Sequence, residues 1–494
     1  MKKRTLRLTL PVSQRVAHRS PMWLTRPGAQ RLHSCWAIAW LLACSIGAAP
    51  VTIQVEPTPF FPKPATGQPL RQQARLCLEN PGPAFAGTAE IRVGDKQAYI
   101  EDLGQVPPGK STNTIHLLDV LASAPVTVAV LDRSSGQLVA KHEVVWQPQK
   151  KWSIYCVSYS HHDLGYGNYP HRLRTEIRHA NIERPLKYCA ETDAWDEDSK
   201  FRFMIETSEP ITSFLASHSE ADAMELGRRI REGRIQVGGM LATVNTEQLS
   251  HELMARLFYL TGRHARDLLD VPASRTAQID DVIGLTWPLA TFCSAANIPY
   301  FFHGPNGCGH CLKPAELEPV FYWQGPDRAN KVLVRSVDYG GYAGDNLGDG
   351  SAAHLEKSIA RLGVKWPYDA LLLQEGTDFQ LVTMDTANKI RAWNSQFIYP
   401  RLIYATMDMF FDAVARQIDP SGIKTFAKDG NNQWADQDAT DAWLLGHARR
   451  LGETIPTAEK FATIASAVAG GSYPWTDLYQ AYHRLLLYHE HTDA

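Results

Sequence analysis

The sequence predicts an α/β protein in which parallel strands alternate with helices, and three observations support this prediction. From Trp152, over about 260 residues, short apolar runs alternate with amphipathic segments of helical length, a pattern typical of parallel strands with helices outside them. Before Trp152 the patterns are those of short strands, and after about residue 425 they are helical. Apolar residues make up 44% and charged residues 21% of the 494, a balance typical of folded globular domains.

Residues 1–49 are predicted to form a leader segment. They hold eight basic residues and no acidic one, and their apolar run from Cys35 to Ala49 is shorter than the about 20 residues of a membrane span. This order is typical of a secretory signal, so we expect an exported protein, secreted, periplasmic or lipoprotein-anchored, without a stable membrane span. Cys44 lies in a stretch similar to a lipoprotein processing site, which predicts a lipid anchor there. A buried N-terminal helix is the alternative.

The charge of the chain argues against a nucleic-acid partner. Basic and acidic residues number 50 and 52, and because eight of the basic ones lie in the leader, the remainder is acidic. Binding to phosphates needs a basic face.

Residues 50–150 are predicted to form a small β-sandwich domain. Ala89–Val93 and Val126–Val130 alternate apolar and polar residues as half-buried strands do. Proline and glycine clusters separate these runs, and the polar stretch 147–151 is predicted to be a linker.

Residues 151–425 are predicted to form a closed or nearly closed β/α barrel, which fits a segment of this length. One helix is expected around Leu249, Leu253, Leu257 and Leu260, whose spacing places them on one face. The strands are expected to begin near Ser153, Phe201, Arg234, Arg275, Tyr300, Lys331, Tyr368 and Arg401.

Residues 426–494 are predicted to form a three-helix bundle against the barrel. The first two helices are expected over 436–452 and 457–469. The third is expected to follow Pro474, which suits a first helical turn, and to bury Leu478, Tyr482 and Leu485.

Polar residues follow three of the predicted strands, at the edge where α/β folds place their chemistry. His161 and Asp163 are two residues apart on extended chain, so their side chains point the same way and could share a metal; a hydrogen-bonded cap is the alternative. Asp280 and Asp281 need a compensating positive group if they are buried, or else form a solvated turn. Asp378 beside Phe379 could be a protonated general acid or a helix cap.

Two further clusters contain metal-ligand or redox residue types. The tail contains His489 and His491, a His-x-His pattern that could supply a ligand. Cys308 and Cys311 have the spacing of a disulfide isomerase site, but the preceding glycines and proline predict a loop. A loop cystine or two idle thiols is the expected state.

Together these motifs resemble those of glycoside hydrolase family 38, the α-mannosidases, over about 152–494. His161-x-Asp163-x-x-Tyr166 is similar to the family's first metal motif. The run from Asp281 to Thr286 is similar to its nucleophile motif Asp-Pro-Phe-Gly-His-Ser, and Gly376–Gln380 to the stretch that carries its acid/base. The run from Tyr488 to Thr492 is similar to the helix end that supplies the family's last zinc ligand.

The resemblance implies a seven-stranded barrel and a zinc-dependent retaining α-mannosidase, a glycosidase that acts on α-mannosides of glycans through a covalent glycosyl-enzyme intermediate. Zinc would be held by His161, Asp163, Asp281 and His491. Asp281 would also be the nucleophile and Asp378 the acid/base. Tyr166, in place of the usual Trp, would provide a platform on which a sugar stacks.

The sequence departs from the family in two ways. Val282, Ile283 and Leu285 replace the Pro, Phe and His of the nucleophile motif, which indicates a divergent branch. Family members continue for several hundred residues of β-structure beyond the bundle, so a missing C-terminal β portion is expected.

Two other functions remain open. A catalytically inactive carbohydrate-binding remnant of the family is the main alternative, because the C-terminal β domains are missing. A zinc deacetylase or amidohydrolase also uses Asp and His at strand ends, but it needs an activated water rather than two opposed carboxylates.

Overall fold

A computed structural model describes residues 50–161, 163–167, 169–306, 318–337, 345–364, 366–430 and 441–492. The predicted α/β class is confirmed, since helices alternate with strands in parallel and antiparallel sheets. Within these ranges, no helix is both long and apolar enough to cross a membrane. The leader, with Cys44, lies outside the described residues.

The first eight strands belong to the region predicted to be a β-sandwich. They are β1 (Thr52–Pro57), β2 (Phe61–Pro62), β3 (Arg71–Asn80), β4 (Phe85–Val93), β5 (Tyr99–Val106), β6 (Gly109–Leu118), β7 (Ala124–Asp132) and β8 (Leu138–Trp146). Two antiparallel sheets, β1-β3-β6 and β5-β4-β7-β8, share one apolar core to which both contribute, for example through Leu76 and Val128.

The strands from Ser153 onward alternate with helices. They are β9 (Ser153–Ser160), β10 (Phe203–Ile205), β11 (Ile235–Val237), β12 (Thr276–Asp281), β13 (Tyr300–Pro305), β14 (Val320–Gln324), β15 (Lys331–Ser336), β16 (Ala370–Glu375), β17 (Phe397–Tyr399), β18 (Arg401–Ala405) and β19 (Thr425–Phe426). Eight of these strands start within two residues of the predicted positions. β14, β17 and β19 were not predicted, and β14 runs antiparallel to β15.

The helices lie between these strands along the chain and continue after them. They are α1 (Pro170–Arg172), α2 (Ala180–Glu191), α3 (Glu209–Ser217), α4 (Glu220–Arg231), α5 (His251–Arg263), α6 (Pro288–Ala295), α7 (Ala352–Leu362), α8 (Asp385–Gln396), α9 (Met407–Ala415), α10 (Ala442–Ala469) and α11 (Trp475–Tyr488). Of the four leucines predicted to share one helix face, Leu253, Leu257 and Leu260 lie on α5 and Leu249 just before it, and all four are buried.

Two sheets carry the α/β part. The first has the order β11-β10-β9-β16, is parallel throughout, and also pairs β18 with β9. The second has the order β12-β13-β15-β14-β19. The backbone N–H of Gly239, just after β11, donates to the carbonyl of Thr276 in β12 at 2.9 Å. This bond joins the two sheets, whereas closure into a seven-stranded barrel stays a prediction.

The helices after residue 441 differ from the predicted set in one respect. α10 is continuous through Pro456, so the expected break between 452 and 457 is wrong. Ala448, Gly452 and Ile455 are buried on α10, and this packing outweighs the local cost of an internal proline. α11 begins directly after Pro474, as predicted, and packs against both α10 and α5.

Candidate metal centre

The first predicted pair lies where the end of β9 meets the neighbouring loop. His161 and Asp163 are both buried, at 1% and 3% exposure. His161 forms an isolated parallel bridge with Asp378, and its carbonyl accepts a 2.9 Å hydrogen bond from the N–H of Phe379. The structure therefore brings the first and third strand-end motifs together, because β9 and β16 are adjacent parallel strands.

The four predicted metal ligands, which come from three distant parts of the sequence, converge on one point. His161 Nε2 and His491 Nε2 are 3.3 Å apart, and Asp163 Oδ1 is 3.1 Å from each of them. Asp281 Oδ2 is 3.5 Å from His491 Nε2. One ligand atom from each of the four residues lies within 4.8 Å of the others.

These separations fit a tetrahedral ion. Four ligand atoms at about 2.0–2.1 Å from a central zinc would be about 3.3–3.4 Å from each other. The four measured distances of 3.1–3.5 Å bracket this value. Two imidazole nitrogens and two carboxylate oxygens are a donor set that suits zinc.

The hydrogen bonding of Asp163 also points to a cation. Its Oδ1 atom is fully buried and has no hydrogen-bond partner among the described residues, although both Nε2 atoms are nearby. A buried carboxylate oxygen in this state is costly. A metal ion between the oxygen and the two nitrogens would remove that cost.

The charges of the site are strongly coupled. Burial lowers the pKa of His161, but Glu206 and Asp163 outweigh this effect and raise it well above the ordinary value. Burial acts in the opposite direction on Asp163, yet the two histidines hold its pKa below the usual range. The site thus stabilises positive charge at its centre.

Asp281 has an unusual backbone. It ends β12 with φ at +68°, in the left-handed region that side chains other than glycine rarely adopt. Asn306 fixes this conformation: its side chain donates to Asp281 Oδ1 at 2.7 Å and its N–H to the Asp281 carbonyl at 2.9 Å. The strain is local to a candidate ligand, as is common at functional sites.

Asp280, the other acid of the pair, is not one of the four clustered residues and is completely buried. It accepts a hydrogen bond from Gln278. Burial, and then the nearby Glu206, raise its pKa well above the ordinary value. The residue pattern alone did not show which of Asp280 and Asp281 would be the metal ligand. Only the resemblance to the family assigned that role to Asp281.

The remaining predicted residues border the cluster. Asp378 is half-buried on the bridge to His161. Tyr166 is 67% exposed in the loop after β9, and Phe379 of the acid/base motif lies against Gly167 of the same loop. Cys308 and Cys311 lie outside the described residues.

The last ligand is held in place by main-chain contacts. After α11 the chain pairs with the segment after β11: Asn245 N–H donates to the carbonyl of His489, and His491 N–H donates to that of Thr243. The Thr492 hydroxyl accepts hydrogen bonds from two N–H groups, those of Leu164 and Gly165, at 3.0 and 3.1 Å. These bonds fix His491 beside the loop that carries Asp163.

Both a family model and solved structures match this chain. A family model described as "Glycosyl hydrolases family 38 N-terminal domain" matches residues 151–437. No curated protein matches the sequence.

Two crystal structures from Enterococcus faecalis share the fold. An alpha-mannosidase from strain V583 aligns with a TM-score of 0.58 and 18% identity, over 69% of this chain and 39% of that one. A protein in the glycosyl hydrolase family 38 aligns with a TM-score of 0.50 and 17% identity, over 69% of this chain and 36% of that one. This chain thus covers well under half the length of these solved relatives.

Proposed function

Because the chain belongs to glycosyl hydrolase family 38, we propose that it is a zinc-dependent retaining α-mannosidase that hydrolyses α-mannosides of glycans. The observation that carries this proposal is the convergence of His161, Asp163, Asp281 and His491, whose ligand atoms all lie within 4.8 Å of one another. Asp378, the proposed acid/base, lies on the strand edge next to this cluster.

The metal would be held by these four residues. When bound, zinc would coordinate hydroxyl groups of the sugar and stabilise the distorted ring of the transition state. The chain's own part is to keep both imidazoles and both carboxylates in place and shielded from water, and the burial of His161, Asp163 and His491 supports this.

The proposed chemistry uses two carboxyl groups in two displacements. Asp281 attacks the anomeric carbon while Asp378 gives its proton to the departing glycosidic oxygen, so a covalent ester to Asp281 forms as the glycosidic bond breaks. Asp378 then takes a proton from water as the water oxygen attacks the same carbon, which releases Asp281. Two inversions leave the anomeric configuration unchanged.

Tyr166 is proposed to bind the sugar ring. Its side chain is mostly exposed, three residues after Asp163 in the chain, and aromatic faces are suited to stacking on the apolar face of a sugar. Its replacement of the family's usual Trp makes the platform smaller.

We further infer that the α/β strands close into one seven-stranded barrel, and that α10 and α11 form a helical bundle with α5, in place of the three-helix bundle expected within residues 426–494. The hydrogen bond from Gly239 to Thr276 between the two sheets supports the first point. The mutual packing of the three helices supports the second.

Residues 1–49 are proposed to direct export. The observation behind this is the basic stretch followed by a short apolar run. N-terminal sequencing of the protein recovered outside the cytoplasm tests it, since cleavage before Cys44 indicates a lipoprotein and cleavage near Ala49 a secreted protein.

The experiment measures zinc content and turnover of an aryl α-mannoside on the same sample of the chain. Asp281→Ala is the test variant, and Asp102→Ala is the control, because Asp102 is an exposed carboxylate of the β-sandwich region. We expect one zinc per chain and turnover that is lost only in Asp281→Ala. Zinc and glycan binding without turnover would favour the carbohydrate-binding alternative, and a protein without zinc would refute the proposed metal centre.

A further inference from the structure

Both histidines of the metal centre direct the same ring nitrogen inward. The Nε2 atoms of His161 and His491 face each other at 3.3 Å, while both Nδ1 atoms face away from the cluster. A neutral imidazole carries its proton on one nitrogen only, so what the outer nitrogen contacts decides whether the inner one can bind a metal.

The outer nitrogen of His161 contacts a buried carboxylate. His161 Nδ1 lies 2.9 and 3.0 Å from the two oxygens of Glu206, and Glu206 is 5% exposed. A carboxylate is an acceptor, so the proton belongs on Nδ1 and the lone pair on Nε2. Glu206 directly follows β10, and the close approach of Gly238 to its carbonyl fixes its backbone: a Cβ on Gly238 would lie 1.7 Å from that oxygen.

The outer nitrogen of His491 also contacts acceptors. Its Nδ1 lies 3.2 Å from the carbonyl oxygen of Thr243, which accepts the His491 backbone N–H as well. Glu490 Oε1 is a further acceptor atom, 2.6 Å from the same nitrogen. These acceptors favour the proton on Nδ1 and leave Nε2 to the cluster.

One residue connects the two histidines. The hydroxyl of Thr243 donates to Glu206 Oε1 at 3.4 Å, while its carbonyl holds His491. Glu206 and Thr243 are both buried. The chain of contacts therefore runs from His161 through Glu206 and Thr243 to His491 without involving any of the four ligand atoms.

We infer that Glu206 and Thr243 act together as positioning residues that fix the orientation of both histidine ligands and keep the proton on Nδ1 when Nε2 binds the metal. This inference rests on the metal centre of the proposed function and assigns a role to two residues outside it. Mutation of the outer partner of a ligand histidine typically lowers metal affinity about 10- to 100-fold. This loss is expected for Glu206→Gln, because a neutral amide oxygen is a weaker acceptor than a carboxylate.

The test measures zinc affinity by competition with a chromophoric chelator. The visible spectrum of the cobalt(II)-loaded protein reports ligand geometry independently of activity. Glu209→Gln is the matched control, since Glu209 is equally buried and three residues away, but pairs with Arg178 and Arg174 instead of a ligand. We expect Glu206→Gln to lower affinity at least tenfold and to change the cobalt spectrum, and Glu209→Gln to leave both as in wild type.

Thr243→Val removes the hydroxyl and keeps the carbonyl that holds His491. We expect a smaller loss of about threefold, the size of one long hydrogen bond. If Glu206→Gln does not fold, Thr243→Val is the test, and an unchanged zinc affinity and cobalt spectrum in Thr243→Val would overturn the inference. A folded Glu206→Gln with wild-type zinc affinity would also overturn it. In both cases the wild type still binds zinc, so the proposed function is not affected. If the wild type binds no metal, the proposed function itself fails and this inference with it.

Discussion

Glu375, the last residue of β16, is predicted to make the stability of the protein depend on pH near neutrality. Its carboxylate accepts hydrogen bonds from the N–H of Leu347 and the hydroxyl of Thr386. Burial nevertheless dominates and raises the pKa of Glu375 from 4.5 to about 7. The perturbation is Glu375→Gln, which keeps the size and an acceptor oxygen and removes the titration.

The magnitude follows from the two pKa values. Between 4.5 and about 7 the folded protein holds a proton that the unfolded chain releases, so the stability contributed by this group falls as pH rises through that window. At about 1.4 kcal/mol per pH unit the full loss is about 3 kcal/mol. About 2.5 kcal/mol of it falls between pH 5 and pH 8.

The assay is urea denaturation of wild type and Glu375→Gln at pH 5 and pH 8. Other groups titrate in both proteins, so the quantity of interest is the difference in unfolding free energy between them. We expect the variant to gain about 2.5 kcal/mol relative to wild type on going from pH 5 to pH 8. A difference that is the same at both pH values would refute the reasoning that burial keeps this acid protonated.

Three further predictions concern the acid/base, the tail and the helices. Asp378→Asn is expected to lower kcat for an unactivated α-mannoside about 10²- to 10⁴-fold with unchanged zinc content, whereas a dinitrophenyl mannoside, whose leaving group needs no proton, loses much less. Thr492→Val removes the acceptor of two N–H groups after β9 and is expected to lower the free energy of unfolding by about 1–3 kcal/mol, while Thr492→Ser retains it. Leu486→Ala creates a cavity at a fully buried position of α11 and is expected to cost about 2–5 kcal/mol in urea denaturation, whereas Leu451→Ala, at a partly exposed position, should change little.

Much of the α/β region could be predicted because its strands are short apolar runs with clear ends. The predicted starts at Ser153, Tyr300, Lys331 and Arg401 are those of the structure. β14 was not predicted as a strand. Its antiparallel direction could not be predicted either, because strand direction depends on the path of the connecting chain and has no local pattern. Two helices were predicted over 436–452 and 457–469, but the buried face of α10 keeps the helix continuous through Pro456.

The four residues of the candidate metal centre could also be predicted from the sequence. They directly follow predicted strands or a predicted helix, and they lie in motifs that resemble those of a known family. Glu206 was missed, although it also directly follows a buried strand, so the strand-end rule that found the pair Asp280 and Asp281 would have found it. Thr243 carries no such pattern. Its role depends on a carbonyl oxygen, which every residue has, and on the pairing of residues 243–245 with the tail.

The pairing of the tail with the segment after β11 has a thermodynamic consequence. An ion bound by His161 and His491 would cross-link positions that are 330 residues apart, and a ligand that binds only the folded chain stabilises it, by about 4 kcal/mol at a thousandfold excess over its Kd. By the same linkage, anything that loosens α11 weakens the binding of the ion. The packing of the last helix and the binding of the ion are therefore thermodynamically coupled. A chelator that removes the ion would lower the free energy of unfolding and loosen the packing of α11.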